Sequence, residues 1–246
     1  MTRFSASTGR GGAPVHAVGR ILARVGTSSS RVCDMEHLSA IQAREHTALV
    51  ADLHTLTPEQ WRSPSLCGDW VVEEVVAHLG AASLLGPVRW LRSMVDARFD
   101  PDVHNQRRLD EFLGATSSVT LERFAGTGTI RLPRRNSPGG LSELIVHAED
   151  IRRPLGLLHT PDPAGLAAVA RFFAARDFAV NSRTLVKGLR LEASDSDFRA
   201  GRGPLVRGPL LSLVMVMAGR PAFLPDLHGE GAPELYRRLG QSSTGS

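Results

Sequence analysis

Cysteine is almost missing from this chain: Cys33 and Cys67 are the only two in 246 residues. They have neither CxxC spacing nor the number a disulfide framework needs, so a reducing, cytoplasmic setting is expected and a cysteine-based zinc site is set aside. Aromatics make up 5% of the chain, and lysine occurs once, at Lys187, against 28 arginines. No apolar run approaches the roughly 18 uncharged residues of a membrane span, and the longest, Pro209 to Ala218, is far too short, which excludes a membrane role. HExxH, P-loop, GxSxG and dinucleotide-binding fingerprints are all lacking. An excess of one charge sign is lacking too. The net charge of +4 comes from Arg3, Arg10, Arg20, Arg24 and Arg31, which stand in the first 33 residues without an acid; the remainder carries −1. Phosphate-backbone binding by the body is therefore excluded.

What is present is a 42% hydrophobic chain, long enough for one large or two unequal domains. Residues 1–34, rich in Ser, Thr, Gly and Arg, read as a disordered or wrongly assigned extension. Leu38, Ile41, Leu49, Val50, Leu53 and Leu56 recur at helical spacing up to Thr57-Pro58. Val72 to Leu85 is apolar nearly all round, as a buried helix would be. Further helices are expected over 88–99, over 105–124 with a weak point at Gly114, and from Ser137-Pro138 to Arg152 ahead of Pro154. Four such antiparallel helices make a bundle over 35–160. A fifth helix bridges 161–182. Leu189, Leu191 and Ala193 then alternate with polar residues as a strand would, with glycine turns, a helix over 210–217, an extended stretch over 221–227 and a terminal helix over 233–239. The fold class is mainly α, a four-helix bundle followed by a small α+β domain at 183–240 and a tail at 241–246.

Positions four and seven apart on a helix differ by about 40° and about 20°, so Glu143, His147 and Asp150 form one polar stripe. Leu144, Ile145, Ala148 and Ile151 place it beside the core. An inward carboxylate and imidazole cost on the order of several kcal/mol unless paired or metal-bound. His78, inside the buried helix, could face them across the bundle. Two imidazoles and a carboxylate leave one tetrahedral position open, as catalytic zinc sites do; two core-bonded histidines are the plainer alternative. Glu74 repeats the four-residue spacing with His78, and His46, His54 and His104 are weaker candidates. Cys67 has no histidine nearby in the sequence, so no Cys-His nucleophile is expected.

Two stretches, SPSLCGDWVVEEVVAHLG and ELIVHAEDIRRPLG, together with RGPLLSLVMVMAGRPAFLPDLHGEG near the end, resemble the maleylpyruvate isomerase-like, mycothiol-dependent enzymes of the DinB/YfiT metal-binding superfamily. The matching residues are Ser63 or Ser65, Trp70 and His78, then Glu143, His147, Asp150, Arg152 and Arg153. The resemblance spans roughly residues 35–240 and implies a DinB-like bundle with a sterol-carrier-protein-like α/β domain. It implies His78, Glu143 and His147 as metal ligands, most simply of zinc, and Glu74 as a neighbouring acid that is not a ligand. Asp150 would orient His147 or pair with Arg152 or Arg153. Arg220 would be a cation facing substrate or thiol with Asp150 in a catalytic role, and Arg207 and Arg152 are candidate cofactor contacts. Val71 departs from the usual Ser/Thr helix cap.

The activity implied is mycothiol-dependent isomerisation or S-transfer on a small electrophile, as a monomer or homodimer. A metal-held thiol is a thiolate near neutral pH; it would add to a cis double bond, allow rotation and leave. A zinc hydrolase on the same triad and a non-catalytic metal-binding module are the alternatives.

Overall fold

A computed structural model describes residues 36–84, 109–128, 130 and 137–242; the helix expected over 88–99 lies outside them, as do Cys33 and His104. The chain divides into two compact units. Of the first, Met1–His37, only residues 36 and 37 are described; the second, Leu38–Ser246, carries every candidate site residue treated below. The described helices are α1 (36–53), α2 (Pro58–Trp61), α3 (Val72–Leu84), α4 (Ser117–Ala125), α5 (Ser137–Leu155), α6 (Pro163–Ala175) and α7 (Ser182–Leu185). Strands β1 (Arg190–Ala193), β2 (Arg199–Gly201) and β3 (Leu205–Gly208) follow, then α8 (Leu210–Met217), a 3-10 helix at Pro221–Asp226 and α9 (Ala232–Ser242). The protein is mainly helical with one small sheet, ordered β2-β1-β3, in which β1 is antiparallel to β2 and parallel to β3.

Local chemistry explains the boundaries. Thr57 and Gln60 form a capping box around α2, with Pro58 at its first turn. Asp162 accepts from the N–H groups of Ala164 and Gly165, and Pro163 opens α6. The single helix expected over 105–124 is broken. A helical stretch ends at Phe112, and Thr116 caps a new start at α4 while the Gly114 N–H donates to Thr120 Oγ1. A helix cap competes with continuation, and here the cap wins. The stretch from Pro221, expected to be extended, is instead the 3-10 helix, whose tight turns suit the fixed φ of Pro221 and Pro225.

Two apolar cores meet at α5. Leu144, Ala148 and Ile151 join Leu49, Leu53, Trp61, Phe112, Phe124 and the apolar face of α3. Leu141, Ile145 and Val146 join Ile41, α6, α8 and the inner face of the sheet. The α+β part expected from 183 thus shares a core with helices that precede it. Because α5 is clamped on both sides, its third face, the one bearing Glu143, His147 and Asp150, is held in a fixed orientation.

Pro154 lies inside α5 rather than beyond its end. A proline has no N–H to bond the carbonyl four residues back, which here is that of Asp150. The Leu66 N–H donates to this carbonyl at 3.0 Å. The expected break is therefore a docking point for the 63–71 loop.

Candidate metal and thiol site

That loop is folded by short-range hydrogen bonds. Ser65 Oγ donates to the Trp70 carbonyl at 2.7 Å and accepts from the Cys67 N–H at 3.0 Å, and Gly68 turns the chain at φ +58°. The loop leads into α3, where the Glu74 carboxylate accepts the Val71 N–H at 2.8 Å and so caps a helix start that has no Ser or Thr. Glu74 is thereby engaged at the helix end, and Glu73 accepts from Thr120 at 2.8 Å. One turn further, His78 projects from α3 with its ring 5.1 Å from that of Trp70 and 4.9 Å from that of His147.

His78, Glu143 and His147 come together, with one ligand atom of each within 4.8 Å of the others. Glu143 Oε2 lies 3.5 Å from His147 Nε2 and 3.9 Å from His78 Nε2. The side chains are 15%, 24% and 10% exposed for His78, Glu143 and His147, so the cluster is sheltered but reachable from solvent.

Behind His147 stands Asp150, whose side chain is wholly buried. Its Oδ2 accepts from His147 Nδ1 at 3.0 Å and from Arg220 Nη2 at 2.7 Å, and its Oδ1 accepts from Arg220 Nε at 2.9 Å. A carboxylate can only accept, so the proton of His147 is fixed on Nδ1 and Nε2 is turned to Glu143. Burial opposes ionisation of Asp150, but the hydrogen bonds from His147 and Arg220 outweigh it and lower its pKa. Burial likewise works against the Glu143 carboxylate, yet its bonds to His147 and His78 hold it well below the usual range. For His147, burial disfavours the cation, whereas bonds to Asp150, Cys67 and Glu143 raise its pKa well above the ordinary value.

Arg220 arrives from the far side of the core. Helix α8 ends in a Schellman motif: the Gly219 N–H donates to the Val216 carbonyl and the Arg220 N–H to the Met215 carbonyl. Gly219, at φ +85°, supplies the left-handed residue this requires. Arg153 extends from α5 over the Phe223 ring and pairs with Asp226 at 3.2 Å, tying the 3-10 helix to the site helix. Arg220 Nη1 donates to the Ala218 carbonyl at 2.7 Å, and Nη2 lies 3.7 Å from Cys67 Sγ.

Several expectations change. Asp150 pairs with Arg220 rather than with Arg152 or Arg153. Arg152, expected as a cofactor contact, is 1% exposed and held by Asp52 at 2.8 Å and Glu149 at 3.4 Å, on the α1 side of α5. Arg207 is exposed on β3, beside Glu192 in register and with its main chain bonded to His228, and is not among the residues gathered around His147. His46 donates to the Phe124 carbonyl, and His54 is exposed. Cys67 does meet a histidine: Cys67, His147 and Asp150 form a second group of possible ligands within 4.8 Å. The sequence hides this contact because Cys67 and His147 are 80 positions apart; the bond from Leu66 to the carbonyl freed by Pro154 and the packing of Leu66 and Cys67 against the cores hold the loop beside α5.

Residues 42–150 match the family model described as Mycothiol maleylpyruvate isomerase N-terminal domain. Two solved structures share the fold. The crystal structure of the mycothiol-dependent maleylpyruvate isomerase is 16% identical, with 80% of this chain and 93% of that chain covered at a TM-score of 0.55. A histidine-to-alanine mutant of that enzyme is 15% identical, with the same coverage and TM-score. No curated protein matches the chain. Among the described residues, no helix is long and apolar enough to cross a membrane.

Proposed function

We propose that this protein is a mycothiol-dependent isomerase for a small unsaturated acid of the maleylpyruvate type, with a divalent metal, zinc in the simplest case, held by His78, Glu143 and His147. The observation that carries this reading is the meeting of two imidazole Nε2 atoms with one Glu143 oxygen. With Nδ1 of His147 committed to Asp150, its Nε2 offers a lone pair to a carboxylate, and such a contact needs a cation between them. A proton serves when the site is metal-free, and a metal serves better because three donors share it.

The chemistry the metal and mycothiol supply together is a sulfur nucleophile for reversible addition to an activated cis double bond. The chain's own residues do the rest. Asp150 keeps His147 in the ligating tautomer and orientation. Trp70 packs against His78 and walls one side of the cluster. Arg220 has five N–H groups, four of them directed at Asp150, Cys67 and Ala218. The remaining Nη1 N–H is our candidate for an anionic group of substrate or thiol.

Elemental analysis of the purified protein and of His147→Ala, paired with an assay of cis-trans isomerisation with and without mycothiol, tests the reading. About one metal per chain, lost in the variant, and turnover only with mycothiol are expected. Thiol-independent hydrolysis, or bound metal without any turnover, would replace this reading with one of the two alternatives.

A further inference from the structure

His147 belongs to two groups of possible ligands, His78/Glu143/His147 and Cys67/His147/Asp150. In the first, no guanidinium or ammonium among the described residues bonds the carboxylate. In the second, both oxygens of Asp150 are held by the Arg220 guanidinium, whose Nη2 also reaches Cys67 Sγ at 3.7 Å. The positive charge that a Cys-His-Asp group would recruit is thus already present and covalently part of the chain. The side chain of Arg220 is only 13% exposed, so most of this cation lies within the protein.

A thiolate binds zinc and related metals more strongly than the oxygen donors of this site do. If the enzyme works by accepting an external thiol, its own cysteine beside His147 is a hazard, since it could ligate the metal. We propose that Arg220 is a specificity-determining residue that fills the Cys67/His147/Asp150 group and keeps Cys67 off the metal. The inference rests on the metal reading above and deepens it. When the guanidinium is removed, metal binding at Cys67 displaces the thiol proton to solvent and forms one metal–sulfur bond; no oxidant or reductant is required.

Cobalt(II) alone reports this, because a cobalt–thiolate bond gives an intense near-ultraviolet charge-transfer band that nitrogen and oxygen ligands do not. All proteins carry Cys33→Ser, so that Cys67 is the one thiol. The otherwise unaltered chain should bind cobalt without the band, and Cys67→Ser should leave its visible spectrum unchanged. Arg220→Gln, which still offers Asp150 an amide donor, should gain the band, and Arg220→Gln with Cys67→Ser should lose it. A band in the chain that retains Arg220 and Cys67, a spectrum altered by Cys67→Ser, or a folded Arg220→Gln protein without the band would each overturn the inference. The Cys67→Ser comparison decides even if Arg220→Gln does not fold. Failure of the chain that retains Arg220 to bind any cobalt would instead remove the metal reading itself, and this inference with it.

Discussion

At the scale of the residue, the site is organised by one carboxylate that need not touch any ligand. Asp150 is bonded to His147 on one side and to Arg220 on the other, and it is wholly buried. Partners of this kind orient a histidine ligand and raise its basicity, and removing them commonly weakens metal binding about 10–100-fold. Asp150→Asn should lower zinc affinity by that range in a competition titration with a chromophoric chelator, because an amide can face His147 with either its oxygen or its nitrogen. The raised pKa of His147 sets a second expectation. Burial opposes its protonation, but hydrogen bonds to Asp150, Cys67 and Glu143 dominate. A metal at Nε2 must displace that proton, so affinity should fall as pH drops below the raised value, and binding at neutral pH should release about one proton from His147. Calorimetric titration of metal in buffers of different ionisation heat counts the protons. In the metal-free protein the sign is fixed by linkage: the stabilisation from protonated His147 is complete below its unfolded value of about 6.5 and is lost as pH rises through the higher folded value.

At the scale of the element, α5 bears two kinds of buried charge on different faces. The Glu143/His147/Asp150 stripe faces α3 and the loop, whereas Arg152 ties α5 to α1 through Asp52. Arg152→Ala would leave Glu149 buried without its cation, and breaking a buried pair in this way costs about 3–5 kcal/mol. Thermal or urea unfolding should show that loss while metal content stays unchanged. Loss of metal with intact stability would return Arg152 to the site. The same helix shows how an apparent defect is used. Pro154 gives up one helical hydrogen bond, and the carbonyl it frees holds the loop that positions Cys67 and leads to His78.

At the scale of the whole molecule, one apolar core runs from Ile41 of α1 through α5 and α6 to the sheet, α8 and α9. Elements that share a core lose their packing together, so Leu38–Ser246 should unfold in one cooperative transition. Coincident urea curves by far-ultraviolet circular dichroism and tryptophan fluorescence are expected, and two separated midpoints would show that the sheet region melts alone. The same sharing explains why a residue 70 positions from Asp150 can complete its hydrogen bonding: α8 is packed on α6, and α6 on α5.

Much of this was legible along the chain. Periodicity located α3, α5, α6, α8 and β1, and the spacing of Glu143, His147 and Asp150 placed them on one face, because helix geometry is local and every i, i+4 or i, i+7 pair inherits it. The motif around Trp70 and His78 pointed to the partner helix. Where a cap competes with a helical pattern, as at Thr116, or proline permits more than one conformation, as at Pro221 and Pro154, the sequence left the outcome open. The contacts that define the chemistry around His147 were decided only by tertiary structure. Cys67 against His147, Arg220 on Asp150 and Arg152 turned towards Asp52 join residues 70 to 100 positions apart or choose among equally spaced partners. No local rule carries that information, because it arises only when two cores clamp α5 and leave a single face on which loop, bundle and C-terminal turn can meet.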